Sequence, residues 1–209
     1  MSDGPGLFVV LEGADGCGKS TQAARLVAAL RAAGREALHV RDPGSTPLAE
    51  AVRRILLDPD TGHVSVRAET LLYMAARAQL AEEVVVPALR RGALVVCERW
   101  TLSTEVYQGL AGGLGLRTVR RLADVAEGAA APDLVLVLDV PEGVGLGRLA
   151  GAPDRMEAKD PAFHREVVRG YRRLSRRRRG YTLLPCGAPD DVAGAVRAAV
   201  DAAWGRDGR

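Results

Sequence analysis

The chain is 209 residues long, 47% hydrophobic and 26% charged, with a formal net charge of +3. That length and apolar content suit one α/β domain with a buried core and exclude a disordered chain. The small net charge argues against a nucleic-acid binder, and no run approaches the roughly 20 apolar residues that a membrane helix needs.

Residues 7–11, Leu7-Phe8-Val9-Val10-Leu11, are a short apolar run that reads as a buried parallel strand. A glycine-rich turn follows at 13–18. Apolar residues then recur at helical spacing through Ala23, Leu26, Val27 and Leu30, predicting a helix over 20–33 that stops at Gly34. A second strand is predicted at 37–40, a Pro/Gly loop at 41–46, and helices at 47–57 and 68–89, the latter single or as two in succession. Strand three is expected at 93–97, a helix from 101 to 109, a glycine-rich link at 109–115 and a helix at 117–126. The run Leu134-Val135-Leu136-Val137-Leu138 is the clearest strand. Beyond it, a helix is expected to start at 141–149 and to break at Gly151-Ala152-Pro153, with a helix at 161–178, a fifth strand at 181–184 and a closing helix at 192–204. Strands alternating with helices imply a parallel sheet covered on both faces, with ligands bound at its carboxyl edge.

Cys17, Cys97 and Cys186 form no CxxC pair and no zinc-type spacing. Residues 1–6 carry no charged segment followed by a long apolar stretch, so a cytoplasmic location is expected. The basic run from Arg172 to Arg179 reads as the solvated end of a helix, with cations near its negative pole.

Gly13-Ala14-Asp15-Gly16-Cys17-Gly18-Lys19-Ser20 matches G-x-x-x-x-G-K-[ST] and lies between a predicted strand and a predicted helix. Glycines there let backbone N–H groups face an anion, the helix start adds its positive pole, Lys19 can reach β- and γ-phosphates, and the Ser20 hydroxyl can ligate Mg²⁺. The ATP site is therefore placed on Gly13, Ala14, Asp15, Gly16, Cys17, Gly18, Lys19, Ser20 and Thr21. The motif specifies a nucleotide without specifying the reaction. Asp15 is more telling, because a carboxylate beside phosphates is costly unless it serves a metal or a second substrate's hydroxyl.

Four segments in order resemble the bacterial thymidylate kinase family: Phe8 through Gln22; Arg41-Asp42-Pro43-Gly44-Ser45-Thr46-Pro47-Leu48; Arg67 through Gln79, with Tyr73 and Arg77; and Glu98-Arg99-Trp100 through Gly109. Asp154-Arg155-Met156-Glu157, followed by Phe163-His164, resembles that family's lid. The resemblance implies a three-layer P-loop fold with a parallel five-stranded sheet, one kinase domain and a lid at about 148–160. It implies transfer of the γ-phosphoryl group of ATP to dTMP, with Mg²⁺ and as a homodimer. Asp15 looks like the loop carboxylate near the acceptor's 3′-hydroxyl and the metal. Arg41 and Arg99 resemble clamps on the acceptor phosphate, and Pro43 lies beside them. Tyr73 stands where an aromatic stacks on thymine, Arg77 where an arginine reaches the base carbonyl, and Thr104 and Gln108 where polar residues face the base. Tyr107 matches a tyrosine that crowds a 2′-hydroxyl. Lys19, Asp15, Arg99, Arg155 and Arg148 are the expected catalytic set, with Arg155 the preferred lid arginine. Ser20, Asp15 and Glu98 are the metal candidates.

This chain departs from the family pattern in three places. Glu98 and Trp100 replace the usual Asp and Tyr or His around Arg99, Ser45 replaces a glycine, and the lid has few arginines. Glu-Arg at the third strand's end also occurs in deoxynucleoside kinases. Another nucleotide or nucleoside kinase of this fold, or a catalytically impaired nucleotide-binding homologue, are the alternative readings.

Overall fold

A computed structural model of the protein describes residues 6–207. Five strands, β1 (Leu7–Glu12), β2 (Ala37–Arg41), β3 (Leu94–Glu98), β4 (Leu134–Asp139) and β5 (Tyr181–Pro185), pair in the order β2-β3-β1-β4-β5. Every pairing is parallel. The expected α/β three-layer class with a five-stranded parallel sheet is therefore present.

The two-residue period of a strand sorts the core into two layers. Phe8, Val10, Val95, Cys97, Val135 and Val137 face one side. Leu7, Val9, Leu11, Leu94, Val96, Leu134, Leu136 and Leu138 face the other. Helices α1 (Lys19–Ala32) and α8 (Pro189–Asp207) cover the second layer through Leu26, Val27, Leu30, Val196 and Val200. The first layer is covered by three groups. One is α3 (Val66–Leu80), which runs through a π-helical turn (Ala81–Val85) into α4 (Val86–Arg90). The second is α5 (Thr101–Thr104), which continues as a π-helical segment (Glu105–Ala111). The third is α7 (Pro161–Ser175). Helices α2 (Pro47–Leu57) and α6 (Leu116–Glu127) pack against α3.

Local chemistry sets the helix starts. Thr46, Ser65 and Asp160 each accept a backbone N–H of the following first turn, from Ala49, Ala68 and Phe163. Pro47 and Pro161 sit where their missing N–H costs nothing. Pro87 explains the π turn before α4: it has no N–H and crowds the carbonyl of Glu83, so the preceding turn widens instead of breaking.

The helix expected at 141–149 does not form. That stretch is a series of turns with a single 3₁₀ turn at Leu146–Arg148. Gly143, Gly145 and Gly147 each cost a helix about 1 kcal/mol relative to alanine, and Gly143 takes φ 77°. Helix α7 ends at Ser175 rather than 178, and α8 begins at Pro189 rather than 192. No helix among the described residues is long and apolar enough to cross a membrane.

Candidate active site

The sheet register brings the first functional groups together. Leu11 of β1 pairs with Glu98 of β3, so the loop leaving β1 lies beside the end of β3. Residues 13–18 wrap into the start of α1, whose N-cap Gly18 offers no side chain and leaves the helix N–H groups to an incoming anion. Gly16 has φ 70°, and a Cβ there would lie 1.9 Å from the Gly145 carbonyl oxygen, so the turns after β4 close directly on the phosphate loop. Lys19 donates from Nζ to the carbonyls of Gly13 and Ala14, at 2.9 and 2.8 Å. Thr21 is exposed on the first turn of α1.

The Ser20 hydroxyl donates to Glu98 Oε2, while Glu98 Oε1 lies 2.8 Å from His39 Nε2. Burial pushes the Glu98 carboxyl up, but the hydrogen bonds from His39 and Ser20 and the charge of Lys19 outweigh it and hold the group below its ordinary range. A hydroxyl and an ionised carboxylate in contact are hard oxygen donors that suit Mg²⁺ arriving with nucleotide phosphates. Among the described residues no cluster of three or more His, Cys, Asp or Glu could hold a metal by itself. Asp15, the other metal candidate, is engaged elsewhere.

Beside the loop opens a cleft lined by Asp15, Asp42, Pro43, Arg53, Tyr73, Arg77, Arg99, Thr104, Tyr107 and Gln108, with Asp154, Met156 and Glu157 also lining it. Arg99 is its centre. Its backbone takes φ 67°, rare for a residue with a side chain. Its guanidinium bonds Asp15, the Gly13 carbonyl at 3.2 Å, Ser103 Oγ at 3.2 Å and Tyr171 OH at 3.1 Å. The Tyr107 hydroxyl donates to Asp15 Oδ2 at 2.7 Å. Burial raises the Asp15 carboxyl, yet Arg99, Lys19 and the Tyr107 hydrogen bond together depress it below the usual carboxylate range. Asp15 thus stays an acceptor at the junction of loop and cleft.

The strained turn at Arg99 is held from below by Glu12, a residue the sequence reading passed over. Its carboxylate is fully buried and accepts from Trp100 N at 2.8 Å, Ser103 N at 3.1 Å, Ser103 Oγ at 2.6 Å and Tyr171 OH at 3.1 Å. It caps α5, whose own N-cap residue Trp100 offers no side-chain bond. Burial raises the Glu12 carboxyl. Trp100 is a core residue, edge-on to Phe8 with ring centroids 5.2 Å apart, so this departure from the family pattern stays out of the cleft. Ser45 does take φ 68°. Its Oγ accepts from Arg41 N and its own N–H donates to Glu50 Oε1, both at 2.9 Å, which offsets the strain.

Arg77 is 1% exposed and donates to Asp42 at 2.7 Å, Thr101 Oγ1 at 3.0 Å and Thr104 Oγ1 at 2.8 Å, with its guanidinium 5.3 Å from the Trp100 ring centre. Arg41 does not line the cleft. It forks onto Glu50 at 3.0 and 3.1 Å and is half exposed. Arg53 stands in the cleft wall instead, bonded to the Pro43 carbonyl at 3.0 Å. The sequence signal for Arg53 was its place one turn from Ala49 and one turn from Leu56, a cation on the buried stripe of α2.

The two arginines expected on a lid face different partners. Arg155 Nη2 is 2.6 Å from Glu69, and its Nε and backbone N donate to the carbonyls of Leu56 and Leu57, at 2.7 and 2.9 Å. None of these partners belongs to the phosphate loop. Arg148 reaches the loop, with Nη1 3.5 Å from the Gly16 carbonyl oxygen.

Comparison with known proteins agrees with this geometry. The family model described as thymidylate kinase matches residues 11–189. A thymidylate kinase of Deinococcus radiodurans is 43% identical over 189 residues, covering 89% of this chain and 91% of that protein. That of Syntrophotalea carbinolica is 45% identical, covering 81% and 82%, and that of Pseudomonas fluorescens is 47% identical, covering 79% and 80%. With the family model spanning most of the chain and these relatives aligned along most of their own lengths, the chain belongs to the thymidylate kinase family.

Proposed function

We propose that this chain is an ATP-dependent kinase that phosphorylates dTMP to dTDP. The observation that carries the reading is the cleft that joins the phosphate loop at Asp15. Cations Arg53 and Arg99 stand at its polar part, and Tyr73, Arg77 and Gln108 supply an aromatic face and polar groups farther along it. ATP phosphates lie on residues 13–20. The acceptor phosphate, already anionic, attacks in line and needs no strong base, so positioning and charge neutralisation dominate. Arg99 and Arg53 hold that phosphate, and Asp15, kept ionised, accepts from the 3′-hydroxyl. Tyr107 stands beside the sugar, where its ring excludes a 2′-hydroxyl. Lys19 and Arg148 neutralise charge on the transferred group. Mg²⁺, held by Ser20 and, directly or through water, by Glu98, would orient and neutralise the ATP phosphates.

The arrangement is one domain, with residues 148–160 as its lid. We place it in the cytoplasm, in keeping with its three free thiols. We also assign it a homodimer, because Leu48 and Ile55 on α2 and Leu71 on the adjoining α3 are exposed large apolar residues.

A coupled ADP-release assay with dTMP, dUMP, UMP, dCMP and thymidine tests the activity. dTMP is expected to turn over best and thymidine to be inert, since two arginines at the cleft are wasted on an acceptor without a phosphate. Thymidine turnover near the dTMP rate would replace this reading with a nucleoside kinase, and no turnover of any acceptor would leave only nucleotide binding.

A further inference from the structure

Behind the cleft, and not lining it, lies Glu69 of α3, 1% exposed. Its carboxylate is flanked by two cations: Arg155 Nη2 at 2.6 Å, a charge contact rather than an aligned hydrogen bond, and Lys159 Nζ at 3.6 Å. Its Oε1 takes a hydrogen bond of 2.8 Å from Gln108, itself 2% exposed. An ionised carboxylate only accepts hydrogen bonds, so the nitrogen of the Gln108 amide must be the end that meets it. The orientation follows from chemistry and does not depend on telling oxygen from nitrogen.

With its nitrogen so engaged, Gln108 has its carbonyl left for the cleft it lines. Among the described residues no hydrogen bond reaches that carbonyl oxygen. In the same cleft stands Arg77, whose three bonds to oxygen and one to the Met74 sulfur leave one Nη2 N–H over from the five of a guanidinium. A donor and an acceptor in one wall complement a ring edge that carries C=O next to N–H. They oppose an edge that carries NH₂ next to a bare ring nitrogen.

We propose that Glu69 is a positioning residue for base choice: by holding the Gln108 nitrogen it turns the Gln108 carbonyl to the ligand and selects 4-oxo pyrimidines with an N3–H over 4-amino pyrimidines. The inference rests on reading the cleft as the acceptor-base site. Arg155 and Lys159 flank that carboxylate, so part of the lid sequence serves recognition at a distance from the phosphates.

Glu69→Gln tests it. The new amide can donate to the Gln108 carbonyl, which frees Gln108 to turn its nitrogen to the cleft. The ratio of kcat/KM for dTMP over dCMP is expected to fall at least about tenfold, because a site built to bond one polar edge rejects the other strongly. Arg155→Met, which loosens the ion pair but keeps the Glu69–Gln108 bond, is expected to lower both substrates together and to keep the ratio within about threefold. A ratio unchanged in Glu69→Gln, or lost equally in Arg155→Met, overturns the proposal. Should Glu69→Gln not fold, Glu69→Gln with Lys159→Met removes a cation along with the carboxylate and reads the same ratio. The parent needs no substitution for a further measurement: N3-methyl-dTMP should bind at least about a hundredfold more weakly than dTMP, and equal binding overturns the proposal. Ratios are also read as equilibrium Kd values, so a parent that binds dTMP without phosphorylating it counts against the activity alone.

Discussion

Arg148 and Arg155 flank the Gly151-Ala152-Pro153 break, yet only one of them touches the phosphate loop. The Asp154-Arg155-Met156-Glu157 motif drew attention to Arg155, whose backbone and side chain are anchored on Leu56, Leu57 and Glu69. Arg148 lies against Gly16. Arg148→Ala is therefore expected to lower kcat by about 10³, the low end for a transition-state arginine, with KM for dTMP and thermal stability nearly unchanged. Arg155→Ala should instead destabilise by on the order of 3 kcal/mol, because it strips a buried carboxylate of its nearest cation. Steady-state kinetics beside thermal melts decide this. If Arg148→Ala keeps kcat within about threefold of the parent, Arg148 has no part in the transition state. Arg41 and Arg53 make the same point about legibility. Arg41 is the one the sequence points to, but Arg53 is the one that enters the cleft, because the Glu50 carboxylate binds Arg41 across the turn.

At the scale of elements, the junction of α5 and α6 carries a titratable contact. Glu127 ends α6 and accepts from the Thr101 hydroxyl at the start of α5. Burial, with the nearby acids Asp42, Asp124 and Glu105 adding to it and Arg77 opposing, raises its carboxyl to about 7. The folded state then holds this proton more tightly than the unfolded chain does. Between the ordinary carboxylate range and about pH 7 the unfolded state binds fewer protons, so this group's contribution to stability falls as pH rises, and the cost is complete above about pH 7. Glu127→Gln should raise stability at pH 8 by about 1–2 kcal/mol and change it little at pH 4.5, an effect read from denaturant melts at the two values. Equal effects at both pH values would mean that Glu127 does not titrate in this window. The elements themselves were mostly legible, since strand runs and helix caps are local signals. The exception is 141–149, where a helix is expected and three glycines make turns cheaper.

At the scale of the molecule, the exposed Leu48, Ile55 and Leu71 motivate the dimer assignment. Light scattering should give twice the chain mass for the parent, and Leu71→Glu should shift it to monomer at micromolar concentration while its melt stays cooperative. A monomeric parent would end that assignment. Sequence by itself determined the alternation of strands and helices and the phosphate loop, because spacing and residue chemistry along a chain carry that information; the expectation for Asp15, Tyr73, Arg77, Arg99, Thr104, Tyr107 and Gln108 comes from the family resemblance, and all seven line one cleft. The tertiary structure alone decided which side chains spend their hydrogen bonds on one another. Glu12 beneath Arg99, Glu69 behind Gln108 and Asp42 under Arg77 are far from their partners in the chain. A carboxylate in a sequence has no partner until burial removes water and leaves the nearest donor as the one way to satisfy it.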